Sequence, residues 1–168
     1  EVHPIYINPN SSLAGAWAGF LPGVGGWRPE DRPVHLKEIH DKYNLHRNGI
    51  GAMNHLGPDM TIGLKLGWGG ILEKIRYYRQ FNHPKDTSFY DGEEALVVGV
   101  QTFIRKHVAE ALRMAELEPK PDLRQTLLEI AEMNAWLVEY PPRTLPEACQ
   151  CIAWFQTIDR MYHAGGSH

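Results

Sequence analysis

Nine histidines and two cysteines carry most of the chemistry open to this sequence. His55 stands apart from the rest. It sits in a glycine-rich stretch beside Asn54 and Asp59, just ahead of a helix start, and loops on a rigid scaffold commonly carry function. An imidazole there can donate or accept a proton near neutral pH. The competing structural role is to cap the helix that begins at Pro58. A metal centre is not expected. A helical dinuclear carboxylate site needs Glu-x-x-His on two helices, and no glutamate here stands three residues before a histidine. His35 and His40 are five apart and diverge around a helix, while Asp159 and His163 read as a helix-end hydrogen bond. Cys149 and Cys151, two apart on a helix, point to nearly opposite faces and can neither bridge each other nor chelate one ion. No basic cluster lies near them to lower a thiol pKa, so they read as small core residues. Nucleophile-elbow, Walker and dinucleotide signatures are absent, and Gly23-Val-Gly-Gly26 reads as a structural turn. The residues alone assign no catalytic group.

The chain that must position these side chains has 168 residues, 43% hydrophobic and 22% charged, enough for one domain with a core. A net charge of −3 without a basic cluster gives no reason to expect nucleic acid. The apolar stretch from Leu13 to Trp27 is too short to span a bilayer and is broken by Pro22 and five glycines. No basic segment precedes it, so no signal peptide is read, and the expected compartment is the cytoplasm.

Residues 1–49 are expected to be irregular, with short helices near 12–19 and from Pro33 to Tyr43 and no strand beyond Ile5–Asn8. Residues 50–168 are expected to be helical, the two parts forming one partial domain. One helix starts at Pro58 and ends at Asn82-His83-Pro84, with Gly67, Gly69 and Gly70 marking a bend or a close-packing point. The longest runs from about Ser88 to Glu116, with Val100, Phe103, Ile104 and Leu112 inward. Asp122 caps a third, with Leu127, Ile130, Ala131, Asn134 and Leu137 on one face, stopped by Pro141-Pro142. Thr144-Leu-Pro-Glu147 is a capping box for the fourth, which continues through Ala148, Cys151, Ile152, Phe155, Ile158 and Tyr162.

Several of these segments resemble one superfamily, in order, over residues 50–168. Asn54-His-Leu-Gly-Pro-Asp59, followed by Leu64-x-x-Gly67-x-x-Gly70-Ile-Leu72-x-x-Ile75, is similar to the G-H-x-x-P-D and L-x-x-G-x-x-G-I runs of glycyl radical enzymes, the pyruvate formate-lyase and glycerol dehydratase-like proteins. Ser88-Phe-Tyr90 resembles that family's F-Y-x-A helix start. Leu128-Glu-Ile-Ala-Glu132 and Pro141-Pro-Arg-Thr-Leu-Pro-Glu-Ala-Cys-Gln150 resemble its L-x-E-I-A and N-P-P-x-T-F-x-E-A-x-Q segments. Asn134 stands where the family has Cys, and Asn54 where it has Gly.

The resemblance implies a mainly α chain, a helical segment of that family's α/β-barrel with few or no strands. It implies a place in a glycyl radical lyase or dehydratase acting on a small oxygenated substrate. A separate S-adenosylmethionine-dependent activating enzyme would install the radical. The relay Cys, its neighbouring Glu and the radical Gly would lie beyond His168, so the chain, which begins at Glu1 and stops in Ala-Gly-Gly-Ser-His, is expected to be an inactive piece that self-associates through exposed apolar surface. By the same resemblance His55 and Ser167 face one substrate pocket, with Trp17 and Phe20 as its apolar wall. The rival reading is a free-standing helical scaffold or binding module without catalysis.

Overall fold

The computed structural model describes residues 5, 7–15, 38, 42 and 59–162, with side chains through 158. It is helical, and no strand occurs among the described residues, Ile5, Ile7 and Asn8 included. Four helices follow one another: α1 (Met60–Asn82), α2 (Ser88–Leu117), α3 (Pro121–Leu137) and α4 (Leu145–Tyr162). The chain divides into two compact units. One joins Glu1–Ala16 to Asp59–Trp154; the other joins Trp17–Pro58 to Phe155–His168. In the second unit the described residues are helical: 38, 42 and the last part of α4.

Local chemistry sets the helix ends. Asp59, not Pro58, caps α1, its side chain accepting the Thr61 N–H at 2.9 Å. His83 closes α1 in a left-handed conformation, φ 42°. In α3 the proline itself holds the first helical position, where its missing N–H breaks no bond. Asp122 therefore lies in the first turn and is not the cap, a role that falls to Lys120 without a side-chain bond. The capping box at α4 forms with a shift. Thr144 Oγ1 accepts the Glu147 N–H at 3.4 Å, while the Glu147 carboxylate takes the backbone N–H of Arg143 at 2.5 Å.

The core of the first unit lies between α2, α3, the start of α4 and the segment 7–15. α2 contributes Val97, Val100, Ile104, Ala111 and Ala115; α3 contributes Leu127, Ile130, Ala131 and Leu137; α4 contributes Cys151 and Trp154; Ile7 and Ala14 come from the N-terminal segment. Leu112, expected inside, is 44% exposed. The inward stripe of α2 runs through Gln101, Ile104, His107, Ala111 and Ala115, and position 112 is about 100° past it. Phe103 is half-buried. The buried face of α4 is Glu147, Gln150, Cys151, Trp154 and Thr157, one step round from the expected line through Ala148, Ile152 and Phe155. Cys149 is exposed, so only Cys151 is a core residue. Residues 12–15 form bends in place of the expected helix, whose remainder, 16–19, lies outside the described residues.

Candidate functional site

His55, Ser167, Trp17 and Phe20 all lie outside the described residues. The structure describes residues that adjoin their segments in the sequence. Asp59, four residues after His55, starts α1. Ala14 stands three residues before Trp17, and α4 ends five residues before Ser167.

α1 is two helical pieces joined at Gly67, which has φ 63° and ψ 176°. The break is seated on the turn after α3. A Cβ at Gly67 would stand 2.5 Å from the Tyr140 carbonyl carbon, and one at Gly69 would stand 2.7 Å from the Glu139 oxygen. Gly69 instead donates its N–H to that oxygen at 2.8 Å. Glu139 is tied from α2 as well, accepting from Gln101 Nε2 at 2.9 Å and Arg105 at 2.6 Å. Gln101 also donates to the Val138 carbonyl at 3.1 Å, so both bonds from its amide nitrogen go to this turn. On the far side of the turn, Trp136 donates Nε1–H to the Pro141 carbonyl at 2.8 Å and stacks on Tyr140. The Arg143 guanidinium lies 3.9 Å over the Trp136 ring and pairs with the buried Glu147. The side-chain bond from Arg143 holds the Glu147 carboxyl below its usual range. Trp68, next to the break, has a buried Nε1–H with no acceptor among the described residues.

A second polar group sits in the core. Gln150 accepts the Ala14 N–H at 2.7 Å and donates to the Ala14 carbonyl at 2.9 Å. Asn134 donates to the Ile130 carbonyl at 2.8 Å, and its Oδ1 accepts Trp154 Nε1–H at 2.5 Å. Trp154 meets the His107 ring at 4.7 Å and the Phe103 ring at 5.6 Å, both edge-on. His107 Nδ1 lies 2.9 Å from the Phe103 carbonyl, which can only accept, so that nitrogen carries the proton.

Burial pushes the His107 pKa down from 6.5, against a smaller upward pull from its bond to Phe103. The unfolded chain therefore binds a proton here more readily than the folded one. The contribution of His107 to stability is complete above about pH 6.5 and is lost as pH falls below it towards the depressed folded value. Thermal midpoints measured from pH 7.5 to pH 5 should fall more steeply for the native chain than for His107→Gln. Parallel curves would sink this account.

Among the described residues no three His, Cys, Asp or Glu side chains gather as metal ligands. Burial raises the pKa of Cys151, keeping it a thiol. No described helix is long and apolar enough to cross a membrane. The helical period placed Asn134 on the inward face of α3 but missed the buried Gln101, His107 and Gln150. The one available signal was Gln150, which closes the Pro141–Gln150 motif.

Comparison with known proteins agrees with this frame. The family model for pyruvate formate lyase-like proteins matches residues 39–167. A solved structure concerned with 1,2-propanediol dehydration in Roseburia inulinivorans, and with its substrate and enantiomer selectivity, is similar over 80% of this chain, at 27% identity and a TM-score of 0.62. The chain spans 18% of the length of that structure's chain. No curated protein matches. The two-piece α1, the turn at 138–141 and the capped α4 are thus the helical frame of a known architecture, and the chain belongs to the pyruvate formate lyase-like family of glycyl radical enzymes.

Proposed function

We propose that this chain acts as one segment of a glycyl radical dehydratase or lyase, with a small diol as the first substrate class. The family match, together with the likeness to a structure concerned with 1,2-propanediol dehydration, carries this reading. The 18% share of that longer chain supports a part-role. The four helices are scaffold, and the stretches flanking them contribute pocket wall. His55 hydrogen-bonds a substrate hydroxyl, Ser167 faces the same cavity, and Trp17 and Phe20 form its apolar side. The partners are the rest of the enzyme and a radical-activating enzyme, in the cytoplasm, with no nucleic acid or membrane involved.

Radical chemistry needs a stored glycyl radical and a thiol to relay it. Neither thiol here suits the relay: Cys151 is buried and Cys149 sits on the outside of a scaffold helix. The chain alone is therefore expected to turn over nothing. It should self-associate through exposed side chains such as Phe81, Phe89 and Leu117.

The test is anaerobic activation of the whole enzyme and of the isolated chain, each offered propane-1,2-diol and glycerol. Turnover by the isolated chain would overturn the scaffold role. An activated whole enzyme inert to both compounds would overturn the substrate class. Within an active enzyme, His55→Ala should lower kcat roughly 100-fold with an unchanged thermal midpoint. An unchanged rate would overturn the substrate-binding role of His55.

A further inference from the structure

We draw no further inference here: the strongest candidate, the exposed face of α2 that carries Phe89 and Leu96 beside Gly92 and Gly99, is an apolar surface, and nothing in the structure shows what covers it.

Discussion

Gly67→Val should destabilise the chain by about 2–5 kcal/mol in chemical denaturation. Two costs add. A side chain in the left-handed region costs roughly 1–2 kcal/mol, and forcing atoms into a filled space costs roughly 1–3 kcal/mol. The new Cβ would meet Tyr140 C at 2.5 Å and Pro141 N at 2.6 Å, and both are backbone atoms that cannot rotate aside. Relief would have to come from the turn at 138–141, which Gln101, Arg105 and Gly69 hold in place. Gly63 supplies the internal control. It lies on the same helix with nothing within 4 Å of its Cβ position. Gly63→Ala should therefore stabilise by about 0.5–1 kcal/mol through helix propensity. A Gly67→Val midpoint within about 0.5 kcal/mol of native would show that the break in α1 is not seated on the turn.

Trp154→Ala should cost about 3–5 kcal/mol, the range for removing a large buried aromatic. The side chain is 0% exposed and touches both His107 and Phe103. Its removal also leaves Asn134 Oδ1 without the indole N–H that serves it at 2.5 Å. Trp154→Phe separates these contributions. It keeps most ring contact but orphans the same oxygen, and should cost about 1–3 kcal/mol. If the phenylalanine variant were as stable as the native chain, the Asn134 bond would contribute nothing. If the alanine variant lost under about 1 kcal/mol, the ring would not be a core element.

The helices were legible in the sequence because their signals are local. Prolines at 84, 119 and 121, and the Thr144–Glu147 box, mark boundaries within a residue or two, while Pro141 comes four residues after α3 ends at Leu137. The glycine cluster announced close packing, though not the partner, since Tyr140 is distant along the chain and no pattern links it to Gly67. The polar interior was not legible. Apolar spacing ranks Leu112 above His107 and Ile152 above Gln150, yet the structure reverses both. A polar side chain enters a core when a carbonyl, an N–H or another side chain is waiting for it, and such partners are set by tertiary placement. That is why Gln101 and Gln150 pass as surface residues until the turn at Val138 and the Ala14 peptide come into place, whereas Asn134 follows the apolar spacing of α3. For the candidate site, the resemblance named His55, Ser167, Trp17 and Phe20, and all four fall outside the described residues.

The link between Ala14 and Gln150 also bears on the order in which the chain assembles. Contacts among α1, α2, α3 and the start of α4 join neighbours across short connections, and such contacts form early because little loop entropy opposes them. Bringing Ala14 to Gln150 closes a loop of 136 residues. Its receptor does not exist until α3 and α4 have packed, since Asn134 and Trp154 must first meet to hold the amide in place. The segment 7–15 is thus expected to dock onto a finished helical core as the final folding step. On a ribosome that order is inverted with respect to synthesis: residues 7–15, made before the helices, wait undocked until the stretch through α4 has emerged.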